Sequence, residues 1–139
     1  MRTTNLTSIN PIGTMQDWSD KTILVAEDVA ANYMLIEAVL GMTKAKILWA
    51  QNGREAVEAC VENDGIDLVL MDIRMPEMNG LDATRAIKKF RSELPIIAQT
   101  AFSYNHEDEE ILKAGCLKVI TKPISPQVLL NSITEYMQS

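Results

Sequence analysis

Five side chains stand at the ends of short apolar runs, where they could do chemistry together. Glu27 and Asp28 close the run at 23 to 26, Asp72 closes the run at 68 to 71, Thr100 stands just beyond the run at 96 to 98, and Lys122 just beyond the run at 117 to 120. If these runs are parallel strands of one sheet, their polar ends converge, because open parallel sheets present ligand sites just beyond the carboxyl ends of their strands. Carboxylates brought together repel, and two unit charges about 4 Å apart cost roughly 4 kcal/mol at an effective dielectric near 20. That is a large part of the roughly 5 to 15 kcal/mol by which a domain is stable. Glu27, Asp28 and Asp72 therefore make a poor stabilising device and a good site for a hard cation with oxygen ligands, for which Mg²⁺ is the natural candidate. Held by one or two carboxylates, Mg²⁺ keeps positions for phosphate oxygens. Lys122 then adds a compact mobile charge, and the Thr100 hydroxyl a hydrogen-bond donor, to the same phosphoryl group. Phosphoryl transfer needs positioning and charge neutralisation more than an acid or base. Asp72, at the end of the expected central strand, is the best-placed nucleophile.

The elements that must position these groups are legible as alternating patterns. Ile23 to Ala26, Ile47 to Ala50, Leu68 to Met71, Ile96 to Ala98 and Leu117 to Ile120 are the five expected strands. Between them, Ala31, Met34, Leu35, Ala38 and Val39 recur at spacings of three and four, as do Ala56, Val57, Cys60 and Val61, so each set predicts one apolar helical face. Leu81, Thr84 and Ile87 predict a third helix with Asn79 as its N-cap, and Val128, Leu129, Ile133 and Met137 predict the last. The helix expected between Tyr104 and Ala114 has the weakest apolar face, and Gly115 is placed to stop it. Strands alternating with helices imply right-handed crossovers and a mainly parallel sheet covered on both faces, which is an α/β fold. Lys44 and Lys46 flank the second strand and mark it as an edge. Residues 1 to 20, rich in Thr, Asn and Ser, read as a flexible lead-in, and 21 to 139 as one domain.

Composition narrows the function classes. The 139 residues are 47% hydrophobic with a net charge of −6, which suits a single folded domain and lacks the basic footprint of a nucleic-acid or anionic-membrane binder. Cys60 and Cys116 lack the spacing of a metal or redox motif and read as reduced filler. The N-terminus has neither a signal-peptide nor a membrane-anchor pattern, so a cytoplasmic location is expected.

ILVAED at 23 to 28, MDIRMPEMNG at 71 to 80, QTA at 99 to 101 and TKPI at 121 to 124 together resemble the bacterial response-regulator receiver domain of two-component signalling, from about Lys21 to Met137. The resemblance implies a flavodoxin-like (CheY-like) three-layer sandwich, with a five-stranded parallel sheet in the order 2-1-3-4-5 and five helices. It implies that Asp72 is the phospho-acceptor, that Asp28, Asp72 and the backbone carbonyl of Arg74 bind Mg²⁺ directly, and that Glu27 acts mostly through water. Thr100 and Lys122 are implied to contact the phosphoryl group, with a cis peptide before Pro123 aiming Lys122 inward. The implied donor is a histidine kinase or a histidine phosphotransfer protein, and the surface of the fourth helix, fifth strand and fifth helix is where partners or a second copy would dock. The Ser, Thr and Asn content of the lead-in favours the C-terminal receiver of a hybrid sensor histidine kinase over a stand-alone regulator. Val119 stands where the family often has an aromatic switch residue, so a Thr100-linked signal must travel otherwise, through Phe102 or through helix repacking. Arg74 and Phe102 also occupy positions that influence the phospho-aspartate lifetime in the family.

Blander readings compete for individual residues. Asp28 could simply cap the helix that follows it, His106 reads as a surface residue, and the acidic run Glu107 to Glu110 as a solvated helix face. Trp18 and Trp49 read as packing residues, and Met75 and Met78 as cover for the loop after Asp72. Two other functions compete with the phospho-acceptor. One is a Mg²⁺-dependent aspartyl phosphatase, opposed by Arg74 where a second Asp is usual, and the other is a receiver that only docks.

Overall fold

The computed structural model describes residues 16 to 101 and 105 to 137. Five strands alternate with five helices: β1 Thr22–Ala26, α1 Ala30–Gly41, β2 Lys46–Ala50, α2 Gly53–Glu62, β3 Leu68–Asp72, α3 Gly80–Phe90, β4 Ile96–Thr100, α4 Asn105–Ala114, β5 Lys118–Thr121 and α5 Pro126–Thr134. The strands form one parallel sheet in the order β2-β1-β3-β4-β5. Every residue of β3 and β4 is buried, which is why these strands read as continuous apolar runs rather than as alternations. β2 lies at an edge as its flanking lysines predict, with Lys44 and Lys46 exposed. β5 lies one residue later than expected, which leaves Leu117 exposed just ahead of it.

Successive residues of each strand feed opposite sides of the sheet. On one side Val25, Leu70, Ile97 and Ile120 pack with Ile36 and Leu40 of α1 and Leu129 and Ile133 of α5. On the other, Leu24, Val69, Met71 and Ala98 pack with Ala56 and Cys60 of α2, Ala83 and Ile87 of α3, and Ile111 of α4. Trp18 lies upstream of the expected boundary yet is buried in the first of these layers, and its N–H donates to the Thr43 carbonyl at 2.7 Å. Cys60 and Cys116 are buried free thiols, both pushed up to about 11 chiefly by burial, so at neutral pH they stay protonated. No helix among the described residues is long and apolar enough to cross a membrane.

The helix starts follow local chemistry. Asn52, Asn79 and Ser125 cap α2, α3 and α5 by accepting from the N–H groups of Glu55, Asp82 and Val128, and Pro126 takes the first turn of α5, where a missing N–H costs nothing. Asp28 does not cap α1. The N-cap position is Val29, which offers no side chain, and its N–H donates instead to Glu27 Oε2 at 3.1 Å.

The apolar face expected of α1 is also different. Tyr33, Ile36, Val39 and Leu40 are buried, whereas Met34 is 62% and Leu35 53% exposed, and Ala31 and Ala38 are exposed too. The helix is apolar nearly all round, so spacings of three and four can be drawn on more than one face, and the sheet took the face with the larger residues. Val61 of α2 and Val128 of α5 are likewise exposed. In α4 the thin apolar face is Ile111 and Ala114, and Gly115, at φ +122, ends the helix in a conformation that favours glycine.

One contact ties α3 to the end of β3. The Gly80 N–H donates to the Ile73 carbonyl at 2.8 Å, and a Cβ added at Gly80 would collide with the Asp72 carbonyl oxygen. Gly80→Ala is therefore expected to lower stability by about 1 to 3 kcal/mol through overpacking. Gly41→Ala, with nothing near its Cβ, should be neutral or up to about 1 kcal/mol stabilising through helix propensity. Urea unfolding of both variants checks the contrast, and equal effects would contradict the close approach.

Candidate functional site

Sheet register assembles the site. Ala26 pairs with Met71 across β1 and β3, so Glu27 stands beside Asp72 one step further along. Asp72 pairs with Gln99 across β3 and β4, and Thr100 pairs with Thr121 across β4 and β5, so Lys122 arrives next to Thr100. The Lys122 N–H donates to the Thr100 carbonyl at 2.7 Å, and the Lys122–Pro123 peptide bond is cis.

Glu27, Asp28 and Asp72 each offer one oxygen, and the three oxygens lie within 4.8 Å of one another. Glu27 is 0% and Asp72 3% exposed, while Asp28 faces solvent. Lys122 Nζ lies 3.3 Å from Asp72 Oδ2 as a hydrogen bond. It also lies 3.2 Å from Glu27 Oε1, at ion-pair distance but without hydrogen-bond alignment. The Arg74 N–H donates to Asp72 Oδ1 at 3.2 Å, and the Arg74 side chain is exposed. Burial, and after it the neighbouring Glu27 carboxylate, push Asp72 up from its ordinary 3.8 to about 7, against the opposing pull of Lys122 and the Arg74 N–H. One ammonium is thus shared between two buried carboxylates and does not compensate both.

Of the residues expected to act, Glu27, Asp28, Asp72 and Lys122 meet at one point, and Thr100 is buried at the adjoining strand end. Arg74 adjoins through its main chain. Met75 is buried and Met78 half-buried beside the loop after Asp72, as expected. Phe102 lies outside the described residues, as do the side chains of His106 and Glu107.

Two residues contribute in ways the sequence analysis did not anticipate. Trp49 does more than pack. Its Nε1–H donates to the Glu27 carbonyl at 2.8 Å and its ring stacks on Tyr33 of α1, with centroids 4.2 Å apart, which holds the acidic turn against the helix. Gln99 is 0% exposed, and neither end of its amide has a hydrogen-bond partner among the described residues. The signal for Gln99 is a polar residue inside an otherwise apolar buried strand.

The chain matches the family model "Response regulator receiver domain" over residues 23 to 134. It is 36% identical over 119 residues to the sensor histidine kinase GacS of Pseudomonas protegens, covering 82% of this chain but only 13% of that relative's length. It is 33% identical to the polar-differentiation response regulator DivK of Brucella anthropi, covering 84% of this chain and 96% of that protein. Among solved structures, the receiver domain of sensor histidine kinase PA1611 from Pseudomonas aeruginosa, with a magnesium ion coordinated in its active-site cleft, superimposes with a TM-score of 0.79 at 30% identity, covering 86% of this chain and 98% of that one. The receiver domain of yeast Ssk1, solved with the histidine phosphotransfer protein Ypd1, has a TM-score of 0.79 at 28% identity, with 84% and 88% covered. With its sheet order, its acidic cluster and this match over most of its length, the chain belongs to the response regulator receiver domain family of two-component systems.

Proposed function

We propose that Asp72 accepts a phosphoryl group from a cytoplasmic phosphohistidine donor, with Mg²⁺ held by Asp28, Asp72 and the Arg74 carbonyl, and with Glu27 acting through water. The observation that carries this reading is the buried Glu27–Asp72 pair served by one lysine, with Asp28 at its open side. The set fits a hard dication: it is all oxygen, it is under-compensated, and the Asp72 carboxyl is driven toward neutrality for want of positive charge. When bound, Mg²⁺ neutralises charge on the phosphoryl oxygens.

The side chains do the rest. An Asp72 carboxylate oxygen forms the new O–P bond as the N–P bond of the donor breaks, and the imidazole leaves with that electron pair and takes up a proton. Lys122 exchanges its contact with Asp72 for a phosphoryl oxygen, and the Thr100 hydroxyl donates to another. With Val119 half-buried in place of an aromatic, the signal leaves Thr100 by repacking of α4 and α5.

α1 supplies the donor's docking surface in this reading. It starts two residues after Asp28, and its outward Met34 and Leu35 have no partner in the sheet, so a donor helix laid on them would sit beside the acids. On the opposite edge, exposed Leu112, Leu117 and Val128 offer apolar area around α4, β5 and α5 for an output partner or a second copy.

Three outcomes test the proposal. Incubation with Mg²⁺ and acetyl phosphate should add one phosphoryl group to the wild type and none to Asp72→Asn, read by intact mass; no gain in either, with Mg²⁺ binding verified, points to a docking module or a strictly partner-dependent acceptor, and no gain from a phosphorylated donor domain as well refutes the proposal. The raised Asp72 value means that the ionised group destabilises the fold, a penalty absent below about pH 4 and fully present above about pH 7. Without Mg²⁺, Asp72→Asn should then raise stability by on the order of 2 kcal/mol at pH 8, the gain should vanish near pH 4, and Mg²⁺ should stabilise the variant less than the wild type. A loss of stability at pH 8 would contradict the strained acid pair. Finally, Met34→Asp should slow transfer from a phosphorylated donor domain by roughly tenfold while leaving acetyl phosphate loading unchanged.

A further inference from the structure

Gln99 lies beside Asp72, fully buried, with both ends of its amide lacking a partner among the described residues. It is in register with Asp72 on the neighbouring strand. Leu70 and Ile97, two residues earlier on each strand, both pack in the α1 and α5 layer, so the Asp72 and Gln99 side chains leave the sheet on that same side. There a cavity of about 70 Å³ is bounded by Gln99, Asn32 and Lys122, with apolar walls from Leu35, Ile36 and Ile124.

A water needs roughly 10 to 15 Å³ and two to four polar partners to be held inside a protein. The volume admits water and three polar side chains border it, and because Gln99 has no surface open to solvent, a water there meets its amide only at hydrogen-bond distance, inside ordinary van der Waals contact. A leucine or methionine would line it at no polar cost, whereas a buried amide is disfavoured unless something answers its donor and acceptor. Lys122 has a matching need. Its ammonium carries three N–H donors, and Glu27 and Asp72 face two of them.

We propose that this cavity is a hydration site and that Gln99 is a positioning residue for Lys122, acting through water that hydrogen-bonds to both. The consequence for transfer rests on reading Asp72 as the phospho-acceptor. In that reading Lys122 must release Asp72 and move onto a phosphoryl oxygen, and water anchored on Gln99 keeps the ammonium at the mouth of the site during the exchange. Asn32 supplies the water with a further partner.

Two experiments decide it. A crystal structure of the full chain, at a resolution that shows ordered water, should place water within hydrogen-bond reach of both the Gln99 amide and Lys122 Nζ. A dry cavity, or water that touches Gln99 alone, overturns the proposal whether or not the protein takes a phosphoryl group. The second experiment compares Gln99→Leu and Gln99→Asn with the wild type for melting temperature, Mg²⁺ affinity and the rate of loading from acetyl phosphate at saturating Mg²⁺. Gln99→Leu should melt at or above the wild-type temperature yet load roughly tenfold more slowly, as the loss of one hydrogen bond to a charged group allows. Gln99→Asn should be less stable yet load faster than Gln99→Leu, with Mg²⁺ affinity equal in all three. A merely structural glutamine would make loading follow stability, and that ordering, unchanged loading, or a matching loss of Mg²⁺ affinity overturns the proposal. Failure of the wild type to load would instead sink the reading of Asp72, leaving the water structure to decide the role of Gln99.

Discussion

The close approach of the Glu27 and Asp72 carboxylates around a single Lys122 ammonium is the constraint on which the rest of the site depends. Both acids are buried, so the repulsion between them is little screened by solvent. The result is a carboxyl at Asp72 held near the point of protonation at neutral pH. A fold assembled for stability alone would place apolar residues at these strand ends. Here the domain accepts an electrostatic penalty at one point and offsets it with two continuous apolar layers on the faces of the sheet.

The scaffold around the acids is correspondingly stiff. Trp49 clamps the Glu27 carbonyl and stacks on Tyr33, which ties the acidic turn to the edge strand and to α1 together. Gly80 lets α3 begin directly against the Asp72 main chain, and Gly53 plays the matching part where α2 meets the Met78 carbonyl. A receiver has to present an unstable charge cluster to a partner and then respond to a change in it. Response by packing requires that the elements carrying the cluster move as units, and these contacts join them.

Some of the exposed apolar residues sit on elements that lead to or from the site, while others, Met42, Val61 and Phe90, lie toward the far ends of their helices. Met34 and Leu35 of α1 lie next to the acidic turn, and Leu117 and Val128 flank β5, which leads to Lys122.

The sequence by itself determined the alternation of strands and helices and which polar residues gather at one edge of a parallel sheet, whereas the strand order entered through the family resemblance. Five apolar runs separated by helical patterns leave few parallel topologies, and polar residues immediately after those runs can only converge at the carboxyl edge, so Glu27, Asp28, Asp72, Thr100 and Lys122 were legible from spacing and residue type. Helix caps at Asn79 and Gly115 were legible for the same reason, since their effect is local. Only the tertiary structure decided which face of α1 is buried, because an almost wholly apolar helix has no preferred face until a sheet selects one. The tertiary structure alone also turned Trp49 from a packing residue into a clamp on Glu27, took the helix-capping role from Asp28, and left Gln99 buried without a partner among the described residues. Each of these depends on contacts between segments far apart in the chain, and periodicity along one segment carries no information about what another segment will place against it.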